Sequence, residues 1–255
     1  LLIFFPSPLS IVFLLLSSIS ICWYYLISRP IPLFLSSSSR LLLIIAHPDD
    51  ETMFFSPLIR NALRCGSRVF VLCLSSGDFY GEGDRRRLEL FDAVDRLGID
   101  PSDVTVIDGD NMKDGSEWSS SSLLPIIIRY VVSLDVSLVT SFDDVGVSGH
   151  SNHTACSLAL KAARSILPDQ VELIRLESPS LFRKYSGALS LMVSLLRDSP
   201  NCTLISSPAD IISSWRAMAA HRSQLLWFRY LYMITSSLLF TNTFTRVPRK
   251  VRSHF

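Results

Sequence analysis

Residues 41–51 read Leu-Leu-Leu-Ile-Ile-Ala-His-Pro-Asp-Asp-Glu. The run Leu41–Ala46 is short and wholly apolar, the pattern of a strand covered on both faces. The chain then turns polar at once, with an imidazole, a proline and three carboxylates, before an apolar pattern resumes at Met53. A strand that ends in a polar cluster and feeds a helix is the opening unit of a parallel α/β sheet. In such sheets ligands bind beyond the C-terminal ends of the strands.

Outward from this stretch the same unit recurs. Glu51–Cys65 predicts a helix stopped by Gly66, with Pro57 distorting its first turns. Arg68–Leu74, Asp103–Ile107, Val136–Phe142 and Val171–Leu176 predict four further strands. Asp84–Leu97, Leu123–Leu134 and Asn152–Leu167 predict the helices between them. The fold class is therefore α/β, a Rossmann-like, mostly parallel sheet with helices on both faces. No internal repeat is visible.

The ends of the chain differ from this middle. Leu9–Ile27 holds 19 residues without charge or proline, about 28 Å of helix at ~1.5 Å per residue, close to the hydrocarbon thickness of a bilayer. Trp23, Tyr24 and Tyr25 stand at its end, where an aromatic belt lies, and Arg29 and Arg40 follow. Positive charge after the span and none before it places the domain in the cytosol. The expected division is a transmembrane anchor over 1–28, a linker over 29–40, the main domain over 41–215 and a basic, aromatic segment over 216–255. After Asp210 there is no acidic residue, while Arg216, Arg222, Arg229, Arg246, Arg249, Lys250 and Arg252 make the tail basic. Its uncharged stretch, Tyr230–Thr245, is expected to pack on the domain as a helix, to lie on a membrane surface or, failing both, to form a second span, against which its many Ser and Thr count.

Composition excludes several classes. Hydrophobic residues make up 48 % of the 255 and charged ones 18 %, with 24 Lys and Arg against 23 Asp and Glu. This is not a disordered chain, a coiled coil or a nucleic-acid-coating protein. Cys22, Cys65, Cys73, Cys156 and Cys202 are scattered without paired spacing, which fits reduced thiols in a cytosolic domain.

Chemistry concentrates in two strand-end loops. His47-Pro48-Asp49-Asp50-Glu51 follows the first strand. Asp143-Asp144-Val145-Gly146-Val147-Ser148-Gly149-His150-Ser151-Asn152-His153 follows the fourth, so three of the five histidines fall in these two loops. His47 and Asp50 stand three apart, as do His150 and His153, and each pair shares one helical face. Two such pairs at the ends of strands in one sheet can converge on a divalent ion, zinc among them, leaving a position open for water. Taken alone, each motif also reads as a helix cap or a surface cluster.

Ala46 to Glu51 resembles the signature of the zinc-dependent de-N-acetylases of the PIG-L type, which act on N-acetylglucosamine conjugates. Gly146–His153 and His221-Arg222-Ser223-Gln224-Leu225-Leu226-Trp227-Phe228-Arg229 are similar to the eukaryotic branch that acts on N-acetylglucosaminyl-phosphatidylinositol in the synthesis of glycosylphosphatidylinositol anchors. The resemblance runs from about Leu41 to Phe244. It implies Zn²⁺ as cofactor, with His47, Asp50 and His153 as metal ligands. Asp49 would be the general base and His150 the histidine that stabilises the tetrahedral intermediate. Arg86, in Gly83-Asp84-Arg85-Arg86-Arg87-Leu88-Glu89, is similar to an arginine that touches the substrate's polar head, with Arg85 and Arg87 as alternatives. Asp143-Asp144 departs from the family's Asp-Ala pair and leaves Asp144 without an implied role. The implied setting is the endoplasmic-reticulum membrane, single-pass, with the lipid substrate and the membrane as partners and no nucleic acid. A de-N-acetylase of another conjugate, or an inactive tethered relative, are the other readings. Asn152-His153-Thr154 and Asn201-Cys202-Thr203 are glycosylation sequons, expected to stay bare on a cytosolic domain.

Overall fold

The computed structural model describes residues 7–196 and 202–248. The opening stretch becomes β1 (Arg40–Ile45), flanked by β2 (Arg68–Cys73) and β4 (Leu138–Phe142). β3 (Val104–Val106) lies outside β2 and β5 (Glu172–Leu176) outside β4, all parallel. Two further strands complete the sheet. β7 (Thr241–Arg246) runs antiparallel to β5, and β6 (Thr203–Ile205) antiparallel to β7, giving the order β3-β2-β1-β4-β5-β7-β6. Leu41 to Ile45 are all buried, as a central strand under two helical layers requires.

The helices are α1 (Pro8–Ile27), α2 (Asp50–Phe54), α3 (Ser56–Arg64), α4 (Gly83–Leu97), α5 (Ser120–Ser133), the single turn α6 (Gly146–Gly149), α7 (Ser151–Ala163), α8 (Leu181–Lys184), α9 (Ser190–Leu196), α10 (Pro208–Met218) and α11 (Trp227–Thr235). They form two packed groups on the sheet. One joins α5 to α7, and the other joins α3, α4 and α10.

The helix expected over Glu51–Cys65 is two helices, broken at Phe55. Pro57 has no N–H, so the Met53 carbonyl loses its helical partner, and the Tyr232 hydroxyl fills the gap at 3.0 Å. The next pair is split as well. The Asn242 amide donates to Phe54 O at 2.9 Å and accepts from Leu58 N at 3.2 Å, standing between two groups that a continuous helix would pair. The C-terminal segment thus completes hydrogen bonds that the proline breaks.

That segment is also where the expectation needs correcting. Tyr230–Thr245 is not one packed helix, one surface-lying stretch or a second span. It divides into the end of α11 and the strand β7, which enters the sheet between β5 and β6. Thr and Asn over Thr241–Thr243 hid a strand whose first three side chains are polar yet buried. The stretch expected as a linker buries Phe34 and Leu35, and residue 215 lies inside α10. Arg249, Lys250, Arg252 and Asn201 of the second sequon lie outside the described residues.

Among the described residues one helix, α1, is long and apolar enough to cross a membrane, with 20 residues and a mean hydropathy of 2.0. Its last turns pack on the domain through Ile19, Cys22, Trp23 and Leu26, one i, i+3, i+4, i+7 face. Trp23 Nε1 donates to Ser206 O at 2.6 Å.

The Asn242 bridge predicts the effect of its loss. Asn242→Leu leaves the buried Leu58 N–H and Phe54 carbonyl unpaired, each costing about 1–3 kcal/mol. Chemical denaturation of the purified protein is expected to show a loss of that size, with α2 the first region to lose amide-exchange protection.

Candidate metal centre

The order β3-β2-β1-β4-β5 puts a topological switch between β1 and β4. The loops leaving these two strands diverge and open a crevice at their C-terminal ends. Both motif loops end in that crevice. A cavity of about 320 Å³ there is lined by His47, Asp49, Asp50, Arg86, His150 and His153, with Asp114, Gln224 and Arg229 completing its polar wall. Phe79 and Tyr80, on the loop after β2, stand at the mouth.

The loops are held in unfavourable backbone conformations. Asp49 has φ +107° and Val147 φ +62°, regions that cost a non-glycine residue about 1–3 kcal/mol and recur at functional sites. Gly146 (φ +63°) lies so close to α7 that a Cβ there would sit 2.9 Å from His153 Cβ, so only glycine lets His153 approach.

Four groups converge. Nitrogen atoms of His47, His150 and His153 lie within 4.8 Å of one another. Asp50 Oδ1 lies 3.2 Å from His153 Nε2. Asp50 Oδ2 is anchored by the backbone N–H groups of Ala46 (3.0 Å) and His47 (2.9 Å), which turns Oδ1 toward the histidines. His153 Nδ1 faces the Gly146 carbonyl at 3.0 Å, the arrangement in which Nδ1–H donates and Nε2 keeps its lone pair for the crevice. The ring stacks on Phe142 with centroids 3.9 Å apart. These donors fit a borderline divalent ion such as zinc: imidazole nitrogens, a carboxylate oxygen and, at His153, a tautomer set by a backbone carbonyl. His150 is the least constrained of the set, exposed, with no side-chain hydrogen bond among the described residues.

Asp49 lies beside this group. Its Oδ2 accepts from Arg229 Nη2 at 2.8 Å, and its N–H donates to Glu51 Oε2 at 3.1 Å. Burial pushes its carboxyl above the ordinary value, against the pull of Arg229. Burial would raise Asp50 too, but the charges and hydrogen bonds of His153 and His47 outweigh it and hold it well below that range. Partial desolvation, reinforced by His153 and His47, lowers His150.

Arg86 is buried. Its guanidinium donates to Pro48 O (2.7 Å) and Gly77 O (2.8 Å) and lies 3.6 Å from Asp114, tying together the loops after β1, β2 and β3. Arg85 instead pairs with Glu82 and Glu89 at the surface. Asp144 stands in an ion network with Lys161 and Arg175, which holds its carboxyl at about 2 despite some desolvation.

Several site residues escaped the sequence reading. Asp114 Oδ1 lies 3.3 Å from His47 Nε2, yet it was one of four acidic residues between 108 and 117 with no spacing to single it out. Asn152, seen as a sequon, is buried with its Nδ2 3.2 Å from His47 Nε2. The segment His221–Arg229 was quoted without individual roles. His221 Nε2 meets Glu51 Oε1 at 2.7 Å, Ser223 caps Glu89, and Arg229 holds Asp49.

Comparison with known proteins agrees with this geometry. A family model described as PIG-L, GlcNAc-PI de-N-acetylase, matches residues 42–164. The N-acetylglucosaminyl-phosphatidylinositol de-N-acetylase of Bos taurus is 39 % identical over 209 residues, covering 80 % of this chain and 82 % of that protein. A probable enzyme of the same name from Dictyostelium discoideum is 32 % identical, covering 82 % and 93 %. Among solved structures, a zinc-inhibited form of teicoplanin deacetylase shares the fold at 16 % identity, with a TM-score of 0.56, covering 82 % of this chain and 98 % of that one.

The His221–Glu51 pair is fully buried. Burial lowers the imidazole's pKa, but Glu51 more than restores it, so the net shift is upward. The pair's stabilisation is then complete below the unfolded histidine value of about 6.5 and drains as pH rises through the raised folded value. His221→Ala strands Glu51 and is expected to cost about 3–5 kcal/mol. Unfolding measured from pH 6 to 9 is expected to show the difference between the two proteins narrowing toward alkaline pH.

Proposed function

The chain belongs to the PIG-L family of de-N-acetylases, and we propose that it hydrolyses the acetamide of N-acetylglucosaminyl-phosphatidylinositol, releasing acetate and the glucosaminyl lipid. The observation that carries this reading is the buried Asp49 standing beside, and outside, the His47–Asp50–His153 group at the switch point. The names of the relatives support the substrate.

We assign His47, Asp50 and His153 as the ligands of one zinc ion. Zinc so held supplies Lewis acidity, polarising the amide carbonyl and lowering the pKa of water from ~15.7 toward ~7. Asp49 takes the proton of the attacking water. Its burial makes the carboxylate a stronger base, and Arg229 keeps it oriented. The water oxygen bonds to the acetyl carbon, and the carbonyl electron pair moves onto its oxygen. His150, free of other hydrogen bonds, offers an N–H to that oxygen as negative charge grows there. As the intermediate collapses, the C–N bond breaks and the proton held by Asp49 passes to the departing amine. Arg86, fixed by two backbone carbonyls, presents a positive wall toward the polar head of the substrate.

The reading also covers the setting: single-pass in the endoplasmic-reticulum membrane through α1, with the domain in the cytosol. The apolar α1 and the basic residues that follow it support this. Asn152 supports it independently, because the atom a glycan would modify, Nδ2, is buried against His47.

Three measurements test these assignments. Asp49→Asn is expected to keep its zinc while kcat falls by about 10²–10⁴-fold, whereas Asp50→Asn loses at least about tenfold in zinc affinity. Metal analysis showing equal zinc in both variants contradicts the division of roles, and mass spectrometry of the product from N-acetylglucosaminyl-phosphatidylinositol tests the reaction. Glycosidase treatment of the protein made in its native membrane is expected to leave its mobility unchanged. A shift assigned to Asn152 contradicts the topology.

A further inference from the structure

Helix α11 is amphipathic in the wrong sense for a protein surrounded by water. Its inner face carries Arg229, Tyr232 and Met233, which pack toward Asp49 and the broken helix. Its outer face carries Trp227, Tyr230, Leu231 and Ile234, spaced i, i+3, i+4, i+7. All are exposed, Trp227 by 77 %. That spacing belongs to a buried stripe, and a water-facing stripe carries polar residues. α4 shows the ordinary pattern, with Asp84, Arg85, Arg87, Asp92 and Asp95 outward.

Other large apolar side chains in the stretch before α10 are exposed as well. Phe182 on α8 is 91 % exposed and Leu196 on α9 is 85 % exposed. The turn at Gly187 lies against the end of α11, where a Cβ would meet Ile234 O at 3.1 Å. α9 in turn receives the last turns of α1, with Cys22 Sγ 3.4 Å from Leu191 O. α11 is therefore linked, through the Gly187 turn and α9, to the only helix among the described residues long and apolar enough to cross a membrane. An apolar face with tryptophan and tyrosine among its residues suits the interface of a bilayer. No acidic residue follows Asp210 to oppose anionic headgroups.

We propose that the outer face of α11, with Phe182 and Leu196, is a bilayer-docking surface that seats the catalytic domain on the membrane holding α1. The inner face of the same helix carries Arg229 on the cavity wall, and Gln224 lines the cavity just before it. The seat therefore holds the cavity wall one helix diameter, ~10 Å, from the bilayer surface, within reach of a glycolipid's head while its acyl chains stay in the bilayer. The benefit to lipid turnover rests on the function proposed above; the seat itself does not.

The test uses the full chain in nanodiscs. With lipids brominated in their acyl chains, the wild-type protein is expected to lose more tryptophan fluorescence than Trp227→Phe, because Trp227 lies within reach of the quencher. Equal quenching of the two overturns the proposal. The second arm is the variant Trp227→Glu, Leu231→Glu, Ile234→Glu, whose positions are exposed and outside the site. It is expected to lose about tenfold or more in kcat/KM on bilayer-embedded N-acetylglucosaminyl-phosphatidylinositol, and to stay within about twofold on a short-chain, water-soluble analogue. An unchanged rate on the embedded lipid, or an equal loss on both substrates, overturns the proposal. A wild-type chain that cleaves neither substrate overturns the function, while the quenching arm still decides the docking surface.

Discussion

Three carboxylates buried side by side constrain the rest of this structure. β1 ends in the core and delivers Asp49, Asp50 and Glu51 where each is almost wholly shielded from water. An isolated buried carboxylate is costly, so each must find a cation, a donor or a metal. The chain finds them far away in sequence. Asp50 faces His153 and takes two backbone N–H groups, Asp49 takes Arg229, and Glu51 takes His221. The partners come from α7 and from the segment beyond α10, so helices distant from β1 are anchored to one polar knot at its end.

The same knot separates two roles among adjacent, chemically identical side chains. Asp50 is stabilised as an anion by imidazoles and backbone donors, which suits a ligand. Asp49 is desolvated, and Arg229, with Arg86 and His221 farther off, offsets only part of that, which leaves a more basic carboxylate. The backbone enforces the difference. With φ +107° at Asp49 the chain turns so that consecutive carboxylates point to different partners, and the Glu51 side chain accepts the N–H of that strained residue. Strain at Asp49 and at Val147, one in each motif loop, shows where packing elsewhere holds the backbone against its own preference.

The C-terminal segment acts as structure and as machinery. β7 extends the sheet, Asn242 and Tyr232 close the helix that Pro57 breaks, and Arg229 reaches Asp49. Truncating this segment would remove cation, strand and hydrogen bonds together. Its effect on activity would not distinguish a catalytic role from a structural one, whereas single substitutions at Arg229 and Asn242 separate the two.

The alternation of short apolar runs with helical patterns was enough to predict β1 to β5 and the parallel sheet, because strands buried on both faces must be apolar throughout. The two motif loops were legible for a related reason. Histidine and aspartate at fixed spacing beyond strand ends have few structural uses, and the expected residues His47, Asp49, Asp50, His150 and His153 all line one cavity. β6 and β7 were not legible, since β7 is rich in Thr and Asn and an antiparallel strand at this margin needs no apolar run. Asp114 and Arg229 were not legible either, because an acidic or basic residue announces its charge but not its partner. Sequence by itself determined the fold class, the candidate donors and the long apolar helix α1, through periodicity and residue chemistry that act locally. Tertiary structure alone decided which cation neutralises which buried carboxylate and which face of α11 turns outward, because both depend on contacts between segments as much as 180 residues apart.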